Sequence, residues 1–84
     1  MSPPDPSPVP LDTVITGEKA RIASVRAKGQ LRKRLLEMGI IPGAIIESIR
    51  VAPLGDPVEF RIKGYSLSIR KKDASCIDVV MEVE

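Results

Sequence analysis

The sequence predicts a mostly β fold: a small, strongly bent barrel of about five strands, with one short amphipathic helix inserted after the first strand. Three observations point there. Period-two alternation of apolar and polar residues recurs along the chain and is clearest in Val58–Lys63 and Tyr65–Arg70. Helical spacing occurs once, where Leu31, Leu35 and Met38 fall at i, i+4 and i+7 with Leu36 widening the stripe. At 84 residues the chain makes one domain, and apolar burial in so short a chain barely exceeds the conformational entropy lost, so a sheet that closes on itself is an economical core.

Residues 1–10 read as a disordered tail, since the prolines of SPPDPSPVP block helix and paired strand and supply little apolar surface. A docking peptide would carry a basic residue beside its prolines, and none is there. The domain then runs over 11–84. Leu11–Ile15 anchors the chain, Gly17-Glu18 turns it, and Lys19–Val25 forms a first strand that buries Ala20 and Ile22. The helix Leu31–Met38 carries Arg32, Lys33, Arg34 and Glu37 on its open faces. Gly39 ends it by taking the left-handed conformation, and Pro42-Gly43 completes the turn.

Ala44–Val51 is a second strand of β-branched and apolar residues, stopped by Pro53, Gly55 and Pro57. Val58–Lys63 and Tyr65–Arg70 form a hairpin about Lys63-Gly64. Lys71–Cys76 makes a short turn or a single helical turn, and Ile77–Val83 is the last strand, with Ile77, Val79 and Met81 on one face and Asp78 and Glu82 on the other.

Composition narrows the chemistry. Hydrophobic residues make up 43% of the chain but aromatics only 2%, so Ile, Val, Leu and Met build the core and stacking platforms for bases are scarce. One cysteine, Cys76, excludes an internal disulfide, and the absence of histidine removes imidazole as base or metal ligand. No nucleophile sits beside a base, and no glycine-rich phosphate loop is present, so no enzyme, cofactor site or metal site is expected. No leader and no apolar run near the ~20 residues needed to span a bilayer are visible, which predicts a cytoplasmic protein not itself inserted in a membrane. A net charge of +2 leaves only local clusters to attract phosphate.

The segments GQLRKRLLEMGIIPGAIIE and APLGDPVEFRIKGYSLSIRKKDASCIDV resemble the FeoA family of ferrous iron transport proteins, over roughly Leu11 to Val83. Their specific features are the LLEMGIIPG helix exit, the APLGDP turn and the GYSLSIRKKDA hairpin exit, in that order. The resemblance implies an SH3-like barrel. It also implies a non-catalytic accessory or regulatory protein that contacts the cytoplasmic side of the membrane Fe(II) transporter FeoB, at its GTP-binding or core region. Related domains fused behind metal-dependent repressors leave a second reading, a stand-alone relative that binds a soluble regulator. A third is a small nucleic-acid-binding barrel, whose affinity would fall steeply with salt. Sheet edges in so small a barrel also leave pairing between copies open.

The residues expected to meet a partner are Arg32, Lys33, Leu54, Gly55, Asp56 and Tyr65. Leu54 stands between structure-breaking residues at a loop tip. It is either an exposed apolar anchor or a lid folded over the barrel end, with Gly55 supplying positive φ and Asp56 bonding the turn backbone. Arg32-Lys33-Arg34 and Arg70-Lys71-Lys72 are solvated ends, or the counterpart of a partner's acidic face or of a phosphate backbone. Tyr65 is expected to pack with Leu67 and Ile69 while its hydroxyl reaches water, and Cys76 to be a small buried apolar residue.

Overall fold

A computed structural model describes residues 7–82. Its elements are β1 Val9–Pro10, a 3-10 turn Leu11–Thr13, β2 Lys19–Val25, α1 Gly29–Glu37, β3 Ile45–Val51, β4 Val58–Ile62, β5 Tyr65–Ile69, α2 Lys71–Ala74 and β6 Ile77–Met81. The strands make one antiparallel sheet in the order β1-β6-β2-β3-β4-β5. This is the mostly β fold the alternation predicts. Among the described residues it has six strands instead of about five, and no ladder joins β1 to β5.

The sixth strand corrects the reading of the tail. Val9 pairs with Val79 and Pro10 with Asp78, so the last two residues of the proline-rich stretch belong to the sheet. A proline is tolerated on an edge strand because no further neighbour needs its missing N–H. Val9 also packs against the core, which gives this short edge its apolar hold. The expected disorder of residues 1–6, and the end of the last strand at Val83, lie outside the described residues.

Two irregularities bend the sheet. The register of β2 on β6 shifts between Ile22 and Ser24, and that of β3 on β4 between Ser48 and Arg50. An extra residue on one strand increases local twist and lets a sheet curl around its own core. The enclosed face holds Ile22, Ile46, Phe60, Ile62, Ile77 and Val79, all nearly inaccessible, with Leu11, Leu35 and Ile40 closing the ends. The alternation of β4 is read out directly: Val58, Phe60 and Ile62 are buried while Arg61 faces water.

Helix α1 spans Gly29–Glu37 and fully buries only Leu35; Leu31, Leu36 and Met38 are partly covered against the core. Its exit follows from the sequence. Gly39 has φ +93, Ile40 N–H donates to Leu35 O at 3.0 Å and Gly39 N–H to Leu36 O at 3.0 Å. This pair of bonds closes a helix end when a left-handed residue follows the cap, and it is completed by an apolar contact between the residues it joins. Here those are Leu35 and Ile40, both buried. No helix among the described residues is long and apolar enough to cross a membrane.

Candidate partner surface

The turn between β3 and β4 is built by its own backbone. Gly55 N–H donates to Ala52 O at 2.8 Å, Ala52 N–H donates to Pro57 O at 3.0 Å, and Gly55 takes φ +91. That closure leaves Leu54 at the tip with nowhere to fold back, and it is 97% exposed. Of the two readings of Leu54, the lid over the barrel end is therefore the one the structure does not realise. An isolated leucine in water loses about 1.5–3 kcal/mol of possible burial free energy, which a partner could recover.

Asp56 differs from expectation. Its Oδ1 accepts the backbone N–H of Lys71 at 2.9 Å, so it ties the turn to the start of α2 instead of bonding the turn itself. Lys71 follows the hairpin by two residues, and the contact fixes the Leu54 tip beside the end of β5. The charge cluster Arg70-Lys71-Lys72 thus begins next to the tip, with all three side chains exposed.

Tyr65 also departs from the reading made of it. It is half-exposed, and its hydroxyl donates to the Met38 carbonyl at the C-terminal cap of α1. Helix-end carbonyls lack an intrahelical partner, so this bond satisfies one of them and pins the start of β5 to the helix exit. A Cβ on Gly39 would lie 2.6 Å from the Tyr65 hydroxyl, so Gly39 serves both the helix cap and this close approach. Nothing in the local sequence marks the contact, because 27 residues separate its partners.

The basic face of α1 divides in use. Arg32 donates from Nη1 to Val25 O at 3.0 Å and so anchors the helix to the end of β2, while Lys33 stays exposed. Arg34 reaches Asp73 of α2 loosely, at 3.8 Å. Leu54, Gly55 and Asp56 share the β3–β4 turn, while Arg32 and Lys33 lie on α1 and Tyr65 is bonded to its exit; no hydrogen bond or ion pair among the described residues joins the two groups.

One polar group went unforeseen. Asp78 on β6 accepts from Arg26 Nε at 2.8 Å and from the Ser24 hydroxyl at 3.1 Å, and Arg26 Nη2 donates to Ser75 O at 2.6 Å. The Arg26 hydrogen bond holds the Asp78 carboxyl below its ordinary range against a smaller opposing effect of burial, with the Ser24 hydroxyl adding to the lowering. Alternation marked Asp78 as outward-facing, but the arginine across 52 residues was not legible. Cys76 is half-buried instead of enclosed. Among the described residues no three His, Cys, Asp or Glu side chains gather into a group that could hold a metal ion.

Comparison with known proteins bears on this surface. The FeoA domain matches residues 9–81. A curated relative, the Fe(2+) transport protein A/Fe(2+) transporter FeoB fusion protein of Porphyromonas gingivalis, is 45% identical over 69 residues, which cover 82% of this chain and 8% of the relative. The chain therefore spans less than a tenth of that protein's length. The solution structure of an FeoA-like protein from Clostridium acetobutylicum superposes with TM-score 0.84 at 34% identity, covering 92% of this chain and 90% of the other. The fold is also that of Stenotrophomonas maltophilia FeoA, a protein solved with zinc and described as a procaryotic SH3 domain protein, at TM-score 0.71, 22% identity and coverage of 86% and 87%.

Proposed function

The chain belongs to the FeoA domain family, and from that premise we propose that it is a non-catalytic accessory protein of ferrous iron uptake, binding the cytoplasmic GTP-binding or core region of an FeoB transporter. The observation that carries this reading is the fusion: a relative 45% identical to this chain is named as transport protein A and transporter FeoB in one polypeptide. A covalent join holds two domains at effective concentrations of roughly millimolar, an arrangement suited to surfaces that meet weakly and repeatedly. As separate chains, the same two surfaces must find each other by diffusion and need an anchor of their own.

In this reading the anchor is Leu54, shaped by Gly55 and Asp56, since a bare apolar tip on a rigid turn loses little entropy on docking. Lys33, with Arg32 and Tyr65 around the helix, forms a flank that favours an acidic partner face. The contact takes place on the cytoplasmic side of the membrane, and the protein acts by changing the nucleotide cycle or the assembly of the transporter.

The test is calorimetric titration of the purified protein into the detergent-solubilised full-length FeoB of the same organism, first with GDP and then with a non-hydrolysable GTP analogue. Saturable heat in either state supports the reading, and a difference between states assigns the contact to the nucleotide switch. A folded protein that gives no heat with a nucleotide-responsive transporter overturns it.

A further inference from the structure

Among the described residues, no strand pairs with the outer edge of β5. The two-residue connection Lys63-Gly64, both residues at positive φ, makes Ile62 and Tyr65 a hydrogen-bonded pair. In an antiparallel ladder such pairs alternate, so Leu67 and Ile69 also turn their backbone groups toward β4, while those of Ser66 and Ser68 point outward. Both serines are exposed, and no side chain or backbone group among the described residues bonds them from that side. A five-residue strand whose outer side is unpaired is an edge of the kind that proteins blunt or use.

Beside this edge runs a cleft of about 250 Å³ between β5, α1 and α2, with Met38 and Ile69 as apolar lining and Arg34 and Arg70 at its rim. The charges left without an ion pair around the edge are mainly basic. Arg61, Lys63, Arg70 and Lys71 are exposed and take no part in any ion pair among the described residues. Of the nearby carboxylates, Glu59 pairs with Arg50 at 3.0 Å, Asp56 accepts the Lys71 backbone N–H, Asp73 lines the cleft and reaches Arg34 loosely, and Glu47 stands opposite Arg61 on β3.

We propose that the β5 edge is a docking site for an extended acidic segment of another protein, which adds a seventh strand along Ser66 and Ser68 and sets its carboxylates against Arg61, Lys63 and Arg70. Backbone pairing supplies the register and affinity of such additions, and alternate side chains supply specificity. One set of side chains of the added strand enters the cleft, while the other meets the basic rim. A second copy of this chain fits poorly as the occupant, because two β5 edges brought together would oppose Arg61, Lys63 and Arg70 to themselves. The Asp56 bond to Lys71 sets this site beside the Leu54 turn, but the site is made by the β5 backbone and not by Leu54, and it stands whether or not the transporter reading holds.

The experiment is an amide NMR titration of the ¹⁵N-labelled full chain with a synthetic heptapeptide of alternating acidic and β-forming residues, Glu-Thr-Glu-Val-Glu-Thr-Glu, and with its Lys-for-Glu counterpart. The expected result is saturable shifts centred on Ser66 and Ser68, with hydrogen exchange at these amides slowed by about tenfold or more, for the acidic peptide alone. Ser68→Pro removes an outward N–H at an edge position where proline is tolerated, so it abolishes the shifts while the remaining amide spectrum keeps its dispersion. Arg70→Glu, which leaves the backbone edge intact, weakens binding by about tenfold and flattens its salt dependence. Shifts centred elsewhere, equal binding of the lysine peptide, no saturable shift at millimolar peptide, or concentration-dependent self-association through Ser66 and Ser68 each overturn the proposal.

Discussion

At the scale of single residues, exposure separates the side chains that hold the fold from those left in water. Leu54, almost wholly in water, contributes nothing to the core, so Leu54→Ala leaves thermal stability within about 0.5 kcal/mol while lowering transporter affinity by about 1–2 kcal/mol. Paired melting and titration check this, and a large loss of stability would show that the tip is structural. Ser48 is the opposite case: it is 1% exposed, and its hydroxyl has no hydrogen-bond partner among the described residues. Burying an unsatisfied hydroxyl is costly, so Ser48→Ala is neutral or stabilising by up to about 1 kcal/mol in denaturant unfolding; a clear destabilisation would reveal a partner.

Asp78 carries the pH dependence. Its folded-state pKa lies below its unfolded one, so its contribution is complete above the ordinary carboxylate range near pH ~4 and is lost as pH falls through the lowered value. Asp78→Asn therefore lowers the melting temperature at neutral pH, and the difference from the parent shrinks in acid. A difference constant from pH 7 to pH 2 would sink this assignment.

Between elements, the joint that matters most links the exit of α1 to the start of β5. Leu35 and Ile40 close the helix end, Gly39 supplies the left-handed residue, and Tyr65 satisfies the Met38 carbonyl from the facing hairpin. Gly39→Ala is expected to cost more than the ~1–2 kcal/mol of a left-handed alanine, because the new methyl also meets the Tyr65 hydroxyl. In the double variant with Tyr65→Phe the steric part is relieved, so unfolding free energies show a loss smaller than the sum of the two single losses. Simple additivity would mean that residue 39 and residue 65 do not meet. The same joint fixes one end of β5, and the Asp56 bond to Lys71 fixes the region just past the other. An open edge held at both ends is pre-ordered for an incoming strand.

For the whole molecule, one curled sheet supplies most of the buried apolar side chains, and Phe60 is the largest of them. Phe60→Ala is expected to cost about 3–5 kcal/mol, a large part of the ~5–15 kcal/mol that holds a small domain, and to leave the protein largely unfolded at 37 °C. Circular dichroism and urea unfolding check this; a folded variant losing under about 1 kcal/mol would place the core elsewhere. Lacking a larger core, the domain keeps its exposed features on short, well-bonded turns. The Leu54 tip closes in two backbone bonds and the β4–β5 turn in two residues, so rigidity at the surface comes at little cost in ordered chain.

Much of this architecture was legible in the chain itself because its determinants are local. Alternation assigned the side chains of Val58–Ile62 and, apart from Tyr65, of Tyr65–Ile69 to core or water, the Lys63-Gly64 pair set the hairpin, and Gly39 and Gly55 marked positions where the backbone turns left-handed. Motif order in the same stretches pointed to the FeoA family, to which the chain belongs. The tertiary structure decided what depends on residues far apart in sequence: the pairing of Val9-Pro10 with β6, the hydroxyl of Tyr65 on the Met38 carbonyl, the Asp78–Arg26 pair, and the open edge of β5. Local patterns fix which face a residue presents, because strand and helix periods are properties of the backbone alone. Which element that face then meets is set by how the sheet curls, and that is a property of all six strands together.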